Sequence, residues 1–367
     1  MTKLNFFRDK KVLVTGHTGF KGSWLSIWLN MLGAEVCGFA LEPYTKNDNF
    51  VVSGLGKRVS HHIGDIRNFN ELNSVFKSFK PEFVFHLAAQ PLVRRSYIDP
   101  KETFDTNIGG TVNILECCRM SDTIKIIVNI TSDKCYQNNE WPWGYRENDR
   151  LGGNDPYSSS KACSEIVCEA YRNAFFDPEY FNNHGKSLAS ARAGNVIGGG
   201  DWREDRLIPD CIRALEKGAP ICLRNPEAIR PWQHVLDPLY GYLLLAKKMA
   251  DDPVKFSSAW NFGPRHDHAL KVLEVADLVL EKWGKKGVIE FGEKDSNSHE
   301  AKTLCLDISK AIAELGWKPC WDTDRAVSKT VDWYKHYKTS NIYSFCEKQI
   351  NQYMRESKSK IRRGKES

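Results

Sequence analysis

Short runs of β-branched and aromatic residues alternate with longer amphipathic stretches through the first half of the chain. Lys11 to Thr15 reads as a strand, Gly22 to Leu32 as a helix and Ala34 to Ala40 as a second strand. His61 to Gly64 is a short third strand, Phe69 to Phe79 has helical spacing, and Phe83 to Leu87 is strand-like. Thr103 to Arg119 is predicted helical, Ile124 to Thr131 a buried strand, Tyr157 to Arg172 a helix and Ser187 to Arg192 a strand. Such alternation predicts parallel strands joined by right-handed crossovers, an α/β, Rossmann-type doubly wound sheet.

The second half is punctuated by Gly198-Gly-Gly200 and by Pro209, Pro220, Pro226, Pro231 and Pro238, and carries no internal repeat. Its pattern implies a smaller, interleaved substrate lobe. The expected division is residues 1–190 with about 235–265 for the nucleotide-binding domain, 191–234 and 266–345 for the substrate lobe, and 346–367 as a basic tail. Turn-rich segments at Trp141 to Pro156 and Asp201 to Arg206 are candidates to close over a ligand.

Composition narrows this picture. The 367 residues are 41% hydrophobic and 27% charged, enough for one large α/β unit with a substantial core. No stretch approaches the about 18 apolar residues of a membrane span, and the N-terminus lacks a signal-peptide pattern, which makes the cytoplasm the default compartment. Eleven cysteines without a CxxC pair read as reduced, buried thiols, and His17 and His234 have no ligand spacing, so no metal is assigned. The net charge of +6 suits an anionic small-molecule substrate; a solvated end and a nucleic-acid or lipid role both stay open for the basic tail.

Two segments carry chemistry. Gly16, Gly19 and Gly22 lie between a strand and a helix, where glycines permit a tight turn and let a pyrophosphate approach the helix N-terminus. Thr18 and Phe20 belong to the same loop. Ala40 stands where an acidic ribose ligand is usual, with Glu42 two residues on, which leaves NAD and NADP both open. Asp65 with Ile66 could face the adenine, Leu87-Ala88-Ala89 end a strand in small residues, and Asn107 reads as a structural hydrogen-bonder nearby. Tyr157 and Lys161 are four residues apart on one helix face. Free Tyr and Lys ionise near ~10 and ~10.4, so neither alone is a neutral-pH base; a cation beside the phenol lowers its pKa.

These residues together resemble the extended short-chain dehydrogenase/reductase family over roughly residues 8 to 340. The resemblance implies a Rossmann-type domain binding NAD(P) and a sugar-nucleotide lobe. Its sugar-nucleotide dehydratases follow a hydroxyl residue with an acid and then a base, and Ser132, Asp133 and Lys134 fit that order after Thr131. A lysine in the third position, with Thr15 to Trp24, Ala191 to Trp202 and Arg230 to Asp237, is similar to the members that act on CDP-glucose. The implied reaction oxidises C4 of the hexose with NAD, eliminates water across C5 and C6, and returns the hydride to C6, supplying deoxysugars for bacterial surface polysaccharide such as lipopolysaccharide O-antigen.

The roles implied are Tyr157 as base with Lys161 and Ser132, Asp133 as acid with a raised pKa, and Lys134 as C5 base with a depressed one. A plain Asp133–Lys134 ion pair is the competing reading. Substrate contacts are assigned to Asn195, Arg192, Arg94, Arg230, Gln233 and Trp202; a buried structural role for Arg192, a surface ion pair for Arg230 and a packing or lid role for Trp202 stay open. Family members pair through two long helices, here Thr103–Arg119 and Tyr157–Arg172, which implies a homodimer or homotetramer. A 4-epimerase or reductase, a dehydratase of another nucleotide-hexose, and a non-catalytic NAD-binding or nucleic-acid-binding protein are the rival functions.

Overall fold

A computed structural model describes residues 3–265, 269–284, 287–292 and 303–363. Its centre is a seven-stranded sheet, all parallel: β1 (Lys11–Thr15), β2 (Glu35–Ala40), β3 (Ser60–Ile63), β4 (Phe83–His86), β5 (Ile126–Ile130), β6 (Ser187–Arg192) and β7 (Ala259–Asn261), in the order β7-β6-β5-β4-β1-β2-β3. Parallel strands need helices over both faces, so the inner strands are largely apolar, whereas the edge strand β3 is exposed along its length. Val12, Leu13 and Val14 are wholly buried, as are Val84, Phe85, Ile127 and Val128. The chain order reverses between β1 and β4, and the crevice beyond the carboxyl ends of these strands is where such sheets bind ligands.

The helices α1 (Phe20–Met31), α2 (Phe69–Phe79), α3 (Gly110–Met120) and α4 (Pro156–Phe175) connect these strands. Asp155 caps α4 by accepting from Ser158 N, and Pro156 occupies its first turn, which fixes where Tyr157 leaves the helix. The predicted helix from Thr103 is not uniform. Pro100–Phe104 is α-helical, Asp105–Gly109 is a π-turn, and α3 follows. The wider turn accommodates Asn107, whose side chain accepts from Gln90 N and donates to Gln90 O and to Ser160 Oγ of α4.

Beyond β6 come α5 (Leu207–Lys217), α6 (Leu236–Asp251), α7 (Val272–Trp283), α8 (Thr323–His336) and α9 (Ile342–Arg363), with three small two-stranded sheets. Helix α6 packs on the central sheet and leads to β7, so residues after 235 return to the first unit. Expected as a basic tail, 346–367 instead contributes most of α9, and Ile350 and Tyr353 are buried. Tyr353 packs edge-on against Trp28 of α1, with centroids 5.8 Å apart. Apolar residues at helical spacing within a charged segment account for the docking; residues 364–367 lie outside the described residues. No helix of the described residues is long and apolar enough to cross a membrane.

Candidate active site

One cleft of about 1080 Å³ runs along the carboxyl edge of the sheet. A small-molecule pocket is usually ~300–1,000 Å³, so this one stands at the large end of that range. Loops after six consecutive strands line it: Gly16 after β1, Leu41 and Glu42 after β2, Gly64 to Ile66 after β3, Leu87 to Ala89 after β4, Thr131 to Lys134 after β5, and Ala193 to Asn195 after β6. The second wall comes from 196–211 and from 221–232.

The first end is built to accept a dinucleotide. Gly16 has φ +75°, and a Cβ there would stand 2.8 Å from Ala88 N; one on Gly22 would stand 2.1 Å from Gly16 O. The loop therefore folds flat against the Leu87–Ala89 strand end. The N-cap of α1 is Gly19, which offers no side-chain acceptor to the first amides of the helix. Open amides at a helix start, facing a cleft, suit a pyrophosphate. Thr18, Phe20, Asp65, Ile66 and Thr131 also line this end, and Tyr157 and Lys161 line the cleft as well. The Asp65 carboxylate is gripped by the Arg67 guanidinium at 2.5–3.0 Å, which holds its pKa below the usual range. Glu42 faces the same end, two residues past Ala40.

The residues expected to carry the reaction, Ser132, Asp133 and Lys134, line the same cleft. Ser132 Oγ donates to Asp133 Oδ1 (2.9 Å) and accepts from Lys134 N (3.2 Å), so one hydroxyl organises the turn Asp133–Cys135. Asn195 Nδ2 donates to Asp133 Oδ2 at 3.4 Å. Gly194 makes this possible: a Cβ there would lie 1.9 Å from that oxygen. Lys134 lines the cleft, and among the described residues no ion pair joins it to Asp133.

Tyr157 is 8% exposed and opens onto the same space. Its electrostatics correct the expectation that Lys161 lowers its pKa. Burial pushes the phenol up to about 12; the Ser132 hydroxyl lowers it, Asp133 raises it, and Arg206 is the neighbouring cation that lowers it. Burial also brings Lys161 down to about 8, against the raising effect of Glu165 one turn along the helix. Glu165 in turn accepts from Arg192 Nη2 (2.8 Å), Ser190 Oγ (2.6 Å) and Thr131 Oγ1.

Three expected substrate contacts are corrected. Arg192 is 3% exposed and outside the cleft, held by Glu165, by the Tyr136 hydroxyl at 2.6 Å and by Glu147 O at 2.9 Å; it braces the helix behind Lys161. Gln233 is buried, and its amide donates to Gly194 O and Phe262 O, both at 3.0 Å, so it fixes the turn that carries Asn195 instead of lining the cleft. Trp202 also lies outside the main cleft: its Nε1 donates to Asn47 O, and its ring packs on Tyr334 and Tyr337. Arg94, Asn195 and Arg230 do line the cleft. Of the two candidate covers, Asp201 to Arg206 reaches it, whereas no residue of Trp141 to Pro156 lines it; that segment packs instead against 303–307 through Tyr145 and accepts from Arg192 at Glu147 O.

Sequence reasoning missed four groups. Lys21, half-buried, lines the cleft from the glycine loop; desolvation, Lys161 and Arg206 lower its pKa to about 7, with Asp133 opposing, and its Nζ donates to the Tyr242 hydroxyl at 3.4 Å. A lysine between two loop glycines was its visible signal. Glu165 continues the 157/161 spacing by one more turn, which was a signal too. Nothing local marks Arg206, paired to Asp201 at 2.5 Å, or the steric need for Gly194.

Comparison with known proteins bears on this geometry. A family model described as GDP-mannose 4,6 dehydratase matches residues 13–330. The chain is 50% identical over 355 residues to a protein of Salmonella typhimurium named CDP-glucose 4,6-dehydratase, covering 96% of this chain and 99% of that one. Among solved structures, a dTDP-glucose 4,6-dehydratase of Bacillus anthracis in complex with NAD superposes with a TM-score of 0.72 at 22% identity, covering 89% and 96%. A UDP-glucose 4-epimerase of Thermotoga maritima with UDP-glucose gives 0.73 at 22%, covering 88% and 98%. These two likenesses are of fold.

Proposed function

This chain belongs to the GDP-mannose 4,6-dehydratase family, and from that premise we propose that it is an NAD-dependent lyase converting CDP-glucose to CDP-4-keto-6-deoxyglucose. The observation that carries the reading is the meeting of Ser132, Asp133, Lys134, Tyr157 and Lys161 in one large cleft at the carboxyl edge of the sheet, which the glycine loop also lines. A hydroxyl group with an acid and an amine next to it is more than a 4-epimerase requires. Bound NAD supplies the acceptor, and later the donor, of one hydride. Glu42 at the adenosine end favours a ribose hydroxyl over a 2′-phosphate, since its carboxylate repels a second anion. The nucleobase is carried over from the Salmonella relative.

In this reading Tyr157, as phenolate, takes the proton of the sugar 4-OH. Its deprotonation has to be driven against burial: the Arg206 cation acts in that direction, Lys161 is assigned the same role on the family resemblance, and the positive ring of the cofactor would add to both. The Ser132 hydroxyl sits beside the phenol and steadies the C4 oxygen. The C4 ketone acidifies the C5 hydrogen; Lys134 takes that proton, while Asp133 protonates the departing 6-OH. Returning the C5 proton and the hydride completes the sugar, and one water is lost with no net redox change. Asn195 and Gly194 hold the Asp133 carboxylate toward the sugar. Homo-oligomerisation, a cytoplasmic location and a part in surface-polysaccharide synthesis belong to this proposal on the family resemblance alone.

The test is incubation with NAD and, separately, the CDP-, dTDP-, GDP- and UDP-glucoses, followed by mass spectrometry. Loss of water from the CDP sugar, with the ultraviolet absorbance of a 4-keto product, is the expected result. An unchanged mass with a changed C4 configuration would make the protein an epimerase, and dehydration of a different nucleotide would overturn the cytidine reading.

A further inference from the structure

The mouth of the cleft carries an ionic contact that joins its two walls. Arg94 comes from the helical turn Val93–Ile98 that follows β4, on the dinucleotide side. Arg224 comes just after the small strand Ile221–Leu223, on the other side. Both reach one carboxylate oxygen: Arg94 Nη1 lies 3.2 Å and Arg224 Nη1 2.9 Å from Asp205 Oδ1. All three residues line the cleft, and their side chains are each 36% exposed. Asp205 has φ +59°, a left-handed conformation that a non-glycine residue adopts at some cost.

The segment bearing it belongs to the second wall and is tied across to the first. Trp202 Nε1 donates to Asn47 O at 2.7 Å, and the Arg203 guanidinium lies 4.0 Å above the Tyr44 ring. Arg206 turns inward toward Tyr157, its guanidinium paired with Asp201. Residues 201–206 thus form a strap over the cleft. Asp205 differs from the other tethers, because its partners are two guanidinium groups from facing walls that converge on one anionic oxygen.

Converging guanidinium groups are what a diphosphate would ask for, since each offers paired N–H donors to phosphate oxygens. A carboxylate brings one negative charge to that spot, whereas a nucleoside diphosphate brings more. Partly exposed ion pairs are weak, so an incoming diphosphate can replace one at little cost. We propose that Arg94 and Arg224 form a clamp for the substrate diphosphate, and that Asp205 is its exchangeable counter-ion, holding the strap across the cleft until substrate takes its place. The clamp rests on the nucleotide-sugar reading and adds to it Arg224 and a role for the strap.

Isothermal titration of the full chain with CDP, UDP, dTDP and GDP, and with cytidine as the phosphate-free control, tests it. Asn suits both the shape and the φ of the position, so Asp205→Asn keeps the fold and removes the charge. That variant is expected to bind the preferred nucleoside diphosphate about two- to fivefold more tightly, with cytidine unchanged. Arg224→Met and Arg94→Met are each expected to weaken diphosphate binding about tenfold, again without moving cytidine, and the gain from Asp205→Asn is expected to vanish in the Arg224→Met background. An Asp205→Asn protein that binds the diphosphate equally or more weakly, or gains equally with cytidine, overturns the clamp. So does Arg224→Met with wild-type affinity. Preference of the wild type for a base other than cytosine overturns the cytidine assignment while the clamp is read on that other nucleotide; no binding of any of the four overturns both.

Discussion

Gly194→Ala is the sharpest probe of the reaction end, because the structure sets its size. A Cβ at 194 would stand 1.9 Å from Asp133 Oδ2, 2.0 Å from Cγ and 2.3 Å from Oδ1. Carbon and oxygen that are not bonded approach to about 3.3 Å, so the carboxylate must retreat by about 1.4 Å. Its two tethers, Ser132 Oγ at 2.9 Å and Asn195 Nδ2 at 3.4 Å, cannot both survive that displacement. Gly194 has no left-handed φ, so space and not backbone strain sets the cost. Overpacking of this kind destabilises by about 1–3 kcal/mol, and misplacing a catalytic group by about 1 Å costs about a hundredfold in rate. Because Asp133 is assigned to the elimination, the loss is expected after C4 oxidation. Quenching single turnovers with borodeuteride and weighing the sugars separates a C4 ketone that keeps its 6-OH from one that has lost it. The variant is expected to accumulate the former. Turnover within about threefold of wild type would remove the carboxylate's position from the mechanism, and failure to form either ketone would show that Asp133 acts already at C4.

Lys134→Ala is expected to retain NAD affinity by titration and to lose turnover; near-normal turnover would take Lys134 out of the reaction. Arg192→Met leaves Glu165 charged and buried without its partner, and breaking such a pair costs about 3–5 kcal/mol; urea denaturation should show that loss, while a purely substrate-binding arginine would raise KM at unchanged stability. Lys161, lowered to about 8 by burial, sets an alkaline limit: kcat/KM is expected to fall as pH rises through about 8 and the ammonium is lost. Stability runs the other way. Between about 8 and 10.5 the unfolded chain holds a proton that folded Lys161 has released, so this residue's penalty is full below pH 8 and shrinks as pH rises. Lys161→Met should therefore be more stable than wild type at pH 7, by a margin that narrows toward pH 10, and a margin independent of pH would contradict the assignment.

Much of the architecture was legible locally. The strands at 11–15, 35–40, 83–86, 126–130 and 187–192 announce themselves, because parallel strands covered on both faces must be apolar along their whole length. The glycine loop and the Tyr157/Lys161 pair were equally plain, since one is a turn requirement and the other a helical repeat. The order Ser132-Asp133-Lys134 could be read too, because three neighbours leaving one strand end must share a loop.

Tertiary structure alone decided which polar side chains face the cleft. Arg192 and Gln233 look like ligands for an anion in the sequence, yet both are spent on buried partners contributed by α4 and by the 194 and 262 carbonyls. Arg206 and Lys21 reach the reaction end only through folding, from a loop and a helix start far apart in the chain. The apolar spacing in 346–358 became a docked helix only because α1 presents Trp28 to receive it. The phenol's pKa followed suit: a cation four residues away suggested a depressed value, and desolvation by the assembled walls raised it. Periodicity is a property of neighbours in the chain and survives in any fold, whereas burial, charge pairing and the room left for a missing Cβ are sums over residues that only the folded chain brings together.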